Sequence, residues 1–175
     1  MKFQDWFDNR LVVGAFPFLK NENIDPFYYD YVINMSDEYH LEHITPFVAA
    51  NCKLFWFPMN EKKRDIGLNS IYGALYILWL AEQSNKNVYL HCHSGKNRSH
   101  AVRAAYYYMR TGLQLETPTS DYGYINKLVA MSGRGYLPPK AEMEQFITLC
   151  GKKFAKGSLI GGTLDNIKLD SINNF

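Results

Sequence analysis

The sequence predicts an α/β fold: a single domain built as a three-layer sandwich, with a central, mostly parallel sheet flanked by helices. Three observations lead there. Short runs rich in Val, Ile, Leu and aromatic residues alternate with longer segments of helical period through the middle of the chain, as a parallel sheet with crossover helices requires. A length of 175 residues supports one domain with its own core. An apolar fraction of 47%, with 15% aromatic residues, marks a globular rather than a disordered chain.

The elements follow in order. RLVVGAF (10–16) reads as a strand ending at Gly14, and YDYVINMS (29–36) as a second strand. HLEHITPFVAA (40–50) has helical period but carries Pro46, which breaks or restarts it. CKLFWFPM (52–59) is a third strand, stopped by Pro58, and NEKKRDIG (60–67) is a charged loop. Asn69 or Ser70 caps a helix through residues 71–84 that is apolar on nearly all sides and therefore buried. KNVYLHC (86–92) is the fourth strand. Residues 98–110 then form a helix with Ala101, Val102, Ala105, Tyr106 and Met109 at core spacing, ended by Gly112. Residues 118–133 and 138–150 suggest two further helices. After Gly151 the chain turns rich in Lys, Gly and Asn. Residues 1–151 are thus read as the domain, and 152–175 as a tail or peripheral element.

Composition narrows the function classes. A net charge of +2 is too mild to argue for a nucleic-acid or membrane partner. The opening MKFQDWFDNR has no apolar signal region, and the longest apolar run, 71–81, is interrupted by Gly73 and too short for a bilayer. Three cysteines, Cys52, Cys92 and Cys150, form an odd, irregular set that fits a reducing cytoplasm better than a disulfide framework. Within HCH (91–93), adjacent strand residues point to opposite faces and no second ligand cluster follows in sequence. No metal and no organic cofactor are expected.

The chemistry sits in HCHSGKNRS (91–99). In open parallel sheets, sites form outside the carboxyl ends of the strands, and Cys92 stands at such an end. The loop from Cys92 to Arg98 leads into a helix N-terminus, so its backbone N–H groups and the helix end make an anion cradle. His93, Ser94, Gly95, Lys96, Asn97 and Arg98 would line it, with Gly95 allowing the tight turn and Arg98 offering a planar fork for two phosphate oxygens. The same positive field favours the thiolate of Cys92, a nucleophile able to attack phosphorus. Ser99 could hydrogen-bond the sulfur and help it leave, and His91 could order the loop through its ring nitrogens. Cys52 and Cys150 read as inert packing.

These residues resemble the His-Cys-x5-Arg-Ser/Thr signature of the cysteine-dependent protein tyrosine phosphatase superfamily, and the small size resembles its dual-specificity branch. RLVVGAF, YVINMSDEY, AVRAAYYYMR and GRGYLPPKAEMEQF are similar to other segments of that branch, so the resemblance spans roughly residues 8–150. It implies a protein tyrosine phosphatase-like fold and a phosphocysteine mechanism without cofactor. It also implies a general acid on a loop after the third strand, normally an Asp three residues beyond a strand-ending Pro. Here that position is Glu61, with Asp65 as the rival in the same loop. Arg134 resembles an Arg that braces the phosphate loop in relatives. Two positions depart from the usual pattern: Ser94 before the glycine, and Asn97 before Arg98, a residue also found there in some dual-specificity members and in the RNA 5′-triphosphatase branch.

The resemblance leaves the substrate open. Protein phosphotyrosine leads, with phosphoserine and phosphothreonine beside it. His93 and Lys96, basic residues inside the loop, resemble the phosphoinositide 3-phosphatase branch and point to polyanions such as phosphoinositides or RNA 5′-triphosphates. A catalytically weak phosphate-binding module is the alternative outside enzymes. A rhodanese-like or arsenate-reducing loop would want a resolving cysteine close to Cys92, which the sequence lacks.

Overall fold

The structure, a computed structural model, describes residues 2–18, 24–38, 40–59, 68–96, 98–111, 113, 115 and 162–163. The elements are α1 (Phe3–Asn9), β1 (Leu11–Gly14), a 3-10 turn (Pro26–Tyr28), β2 (Tyr31–Ser36), α2 (Leu41–Ala49), β3 (Lys53–Met59), α3 (Leu68–Gln83), β4 (Val88–His91), α4 (Arg98–Thr111) and β5 (Gly162–Thr163). The sheet runs β1-β4-β2-β3-β5, with the first four strands parallel and β5 antiparallel on β3. The expected α/β architecture is the one observed. Of the stretch read as a tail, Gly162–Thr163 supplies that edge strand.

Alternation along the strands sorts side chains into the two outer layers. Ile33, Met35, Phe55, Phe57, Val88 and Leu90 face one core, closed by α1, α3 and α4. Val32, Leu54 and Tyr89 face a smaller core with Ile44 and Phe47 of α2. Every residue of β4 is buried, as expected for an inner strand covered on both faces.

The structure departs from the expected elements at four places. Residues 3–9, given no element from the sequence, form α1: Trp6 and Phe7 are buried, and Trp6 Nε1 donates to Lys86 O at 2.9 Å. Pro46 does not divide α2; the helix continues through it, lacking only the hydrogen bond that a Pro nitrogen cannot make. Pro58 does not stop β3. The register against β2 shifts between the Asn34 and Ser36 pairs, and Pro58 sits in that irregularity, where no ladder donor is needed. Finally, α3 begins at Leu68, so Ser70 lies inside it; its buried hydroxyl donates to Pro58 O at 2.8 Å rather than capping the helix. The two helices expected at 118–133 and 138–150, together with Gly112, Arg134 and Cys150, lie outside the described residues. No helix among the described residues is long and apolar enough to cross a membrane.

Candidate functional site

The sheet register brings three strand ends level. Gly14 of β1 and Asn34 of β2 both pair with His91 of β4. The residues just beyond them, Ala15–Phe16, Ser36–Glu38 and Cys92–Lys96, therefore converge at one edge, with the N-terminus of α4 behind.

Cys92 is fully buried, and its Sγ lies 3.3 Å from the buried Oγ of Ser99. Ser99 belongs to the first turn of α4, so the sulfur faces the positive end of a 14-residue helix. The loop is fixed against the segment after β1: Phe16 N donates to His93 O at 2.9 Å. Gly95 has φ +70, and a Cβ there would lie 2.5 Å from Ala15 N and 2.6 Å from Gly14 C. Only glycine fits, by conformation and by space. Ser94 and Gly95 are half-buried, and Lys96 is exposed.

Arg98 is 5% exposed. Its Nη1 donates to Met59 O at 2.8 Å and to Asp37 Oδ1 at 2.9 Å, so the end of β3 and the turn after β2 aim the guanidinium together. That turn is built by Asn34, whose side chain accepts from Ser36 N at 2.8 Å and donates to Glu38 O at 3.0 Å. Glu38 in turn contacts His93 Nδ1 as an ion pair when the imidazole is protonated. The charge of His93 is therefore met by a carboxylate instead of standing open to an arriving anion.

His91 is fully buried, with Nδ1 3.2 Å from Cys92 O. Burial pushes its pKa down to about 3; the backbone contact opposes the shift and His43 adds to it. The ring is neutral, wedged edge-on against Phe16 at 4.8 Å and stacked on Tyr89. Cys52 is the opposite of Cys92. It lies on the far side of the sheet, hydrogen-bonded to Tyr29 O at 2.8 Å and Pro26 O at 3.1 Å, and burial raises its pKa to about 11, with Asp30 adding to the rise.

The structure thus gathers Cys92, Arg98, Ser99, His91, His93, Ser94, Gly95 and Lys96. Glu61, Asp65 and Asn97 lie outside the described residues. The sequence reading missed Asp37 and Glu38. The available signal was an acidic pair directly after the carboxyl end of a strand in a parallel sheet, where sites are built.

No known family model matches the sequence, and no curated protein sequence matches it. Solved structures do. Tk-PTP in its active form superposes with a TM-score of 0.50 at 14% identity, over 84% of this chain and 95% of that one. The core catalytic domain of the PP-IP phosphatase SIW14 from S. cerevisiae, in complex with citrate, gives 0.50 at 16% identity, over 85% and 88%. PTPMT1 gives 0.48 at 17% identity, over 86% and 98%. The fold is the one seen in Tk-PTP and in the SIW14 catalytic domain.

Proposed function

We propose that this chain is a phosphatase that hydrolyses phosphate monoesters through a phosphocysteine intermediate, with protein phosphotyrosine as the leading substrate and phosphoserine and phosphothreonine beside it. One observation carries the reading: a buried cysteine 3.3 Å from a serine hydroxyl at a helix N-terminus, with a buried arginine in the same turn. Inert packing explains the burial of Cys92 but not this company.

In the proposed reaction the phosphate sits in the loop, on backbone N–H groups and the Arg98 fork. The Cys92 thiolate attacks phosphorus; the S–P bond forms and the P–O bond to the leaving group breaks. Glu61, or Asp65, gives its proton to the departing oxygen. The resulting carboxylate then takes a proton from water, whose oxygen attacks phosphorus and displaces the thiolate. Ser99 donates a hydrogen bond to the sulfur as its charge returns. Asp37 and Met59 O keep Arg98 aimed throughout. No step requires a metal or an organic cofactor.

A second reading, hydrolysis of a polyanionic non-protein substrate such as a phosphoinositide or an RNA 5′-triphosphate, draws support from the exposed Lys96 inside the loop and from the likeness to SIW14, a PP-IP phosphatase. The test is phosphate release by the intact protein and by Cys92→Ser. The panel holds a phosphotyrosine peptide, a phosphothreonine peptide, a soluble phosphoinositide and a 5′-triphosphate RNA. Release from the peptides that disappears in the variant supports the leading reading; release from the polyanions alone supports the second. Undiminished release by Cys92→Ser refutes both.

A further inference from the structure

Four of the chain's five histidines, His40, His43, His91 and His93, gather at the site edge, and Phe16 is their common neighbour. Its ring packs against His40 at 5.0 Å, His43 at 5.1 Å and His91 at 4.8 Å, and its backbone N–H holds His93 O. The reaction proposed above gives none of the four a step of its own. His40, His43 and His93 stand with two carboxylates, Glu38 and Glu42, in groups of metal-ligating side chains that spacing along the chain does not reveal.

We propose that Glu38, His40 and His93 form a binding site for one divalent transition-metal ion of zinc's class. One ligand atom from each residue lies within 4.8 Å of the other two. A four-coordinate zinc with bonds of about 2.0–2.2 Å separates its ligand atoms by roughly 3.4 Å; His93 Nδ1 and Glu38 Oε2, now in direct contact, would part to admit the ion while the His40 nitrogen closes in. Two imidazoles and a carboxylate suit zinc better than magnesium or calcium, which prefer all-oxygen shells. Three protein ligands leave a fourth position for water or an anion.

A plain ion pair between His93 and Glu38 is the competing account, and two facts weigh against it. The contacting atoms, His93 Nδ1 and Glu38 Oε2, are shielded from solvent and have no hydrogen-bond partner besides each other, although both residues are about two-fifths exposed overall. An ion pair that merely decorated a surface would keep its charged atoms wet. In addition, His40 stands beside this pair with a third donor, at the start of α2. A second group, His40, Glu42 and His43, shares His40. The first group is preferred because it holds the dry pair and bridges two segments, whereas all of the second lies at the start of α2. Cys92 belongs to neither group.

The consequence is a clasp. An ion on these ligands ties the turn that carries Asp37, the partner of Arg98, to the phosphate loop that carries His93. The proposal does not depend on turnover, so it is testable apart from the function proposed above.

The experiment uses the full chain with Cys92→Ser, which removes the thiolate as a rival ligand. Co2+ is titrated and followed by its visible absorption, Zn2+ competes, and calorimetry and thermal unfolding are recorded with Zn2+. The expected result is one equivalent bound, with the intense bands of four-coordinate cobalt, displacement by Zn2+ and a rise in Tm. Glu38→Gln, at a half-exposed position that tolerates the change, weakens Zn2+ binding at least tenfold, as does His40→Ala. His43→Asn leaves it within threefold. Absence of stoichiometric binding overturns the proposal. So does binding lost in His43→Asn but retained in Glu38→Gln, or binding seen only when Cys92 is restored.

Discussion

Replacing Gly95 with alanine tests how the phosphate loop is held. At φ +70, an L-residue costs about 1–2 kcal/mol relative to glycine. The new methyl would also sit 2.5 Å from Ala15 N and 2.6 Å from Gly14 C, both backbone atoms that cannot rotate away. Forcing an atom into such a space costs about 1–3 kcal/mol by displacement of the backbone. Lower entropy of the unfolded chain returns about 0.4–1 kcal/mol. The net expectation is a loss of about 1–5 kcal/mol, centred near 3 and below the stability of an ordinary domain, so the variant folds. The displacement falls on the segment joining Cys92 to Arg98, where a shift of about 1 Å is worth on the order of 100-fold in rate. Urea unfolding should show a lower midpoint at unchanged slope, and phosphate release should fall about 100-fold. Lys96→Ala, one residue along and exposed, serves as the control and stays within about 0.5 kcal/mol of the parent. If Gly95→Ala is as stable as that control and fully active, the loop is not packed on the end of β1 and the argument fails.

Three further outcomes follow from other residues. Asp37→Asn keeps the shape of the side chain but removes the charge that meets Arg98 Nη1. kcat/KM should fall roughly tenfold or more, about 1.4 kcal/mol, with Asp37→Glu recovering part of the loss; equal kinetics in all three proteins would remove Asp37 from the site. Glu82→Ala removes the carboxylate that Arg110 Nε and Nη2 donate to at 2.7 and 2.6 Å and that the buried Tyr106 hydroxyl also meets. Chemical unfolding should register a loss of about 3–5 kcal/mol, with the double variant Glu82→Leu/Arg110→Met recovering most of it. The raised pKa of Cys52 means that the unfolded chain releases this proton from about pH 9.0 and the folded chain only near 11. Wild type should therefore lose stability relative to Cys52→Val as pH rises between those values and show no such trend below; parallel curves would contradict the burial of the thiol.

The parallel sheet was legible because β2, β3 and β4 are mostly apolar runs rich in branched and aromatic residues, and because Cys92 and Arg98 sit where a strand gives way to a helix. The errors came from tertiary context. Helix α1 has seven residues, too few for a strong periodic signal, and its reason to exist is the pocket that accepts Trp6 and Phe7. Pro46 and Pro58 were read by local rules, yet one lost hydrogen bond in α2 and one irregular pair in β3 accommodate them. Asp37, Glu38 and His40 were invisible as site residues because they lie more than fifty positions before Cys92 and meet the phosphate loop only through the strand order. The thiol, its serine and its arginine lie within one local signature and needed no such knowledge.

The strand order also carries a consequence for how the molecule is made. β1 pairs with β4, joining residue 11 to residue 88, and β2 takes its place on the other side of β4. On a ribosome, the first strand emerges long before its hydrogen-bonding partner and has no parallel neighbour until β4 arrives. Such non-local closure slows folding and leaves apolar edges exposed while the chain waits. The loop bearing Cys92 follows β4 immediately, so the step that pairs β1 and β2 with β4 also creates the surroundings of that thiol. A nascent chain stalled before residue 88 would therefore lack both the inner strand and the Cys92 loop, and one extended into α4 would hold all four parallel strands and that loop.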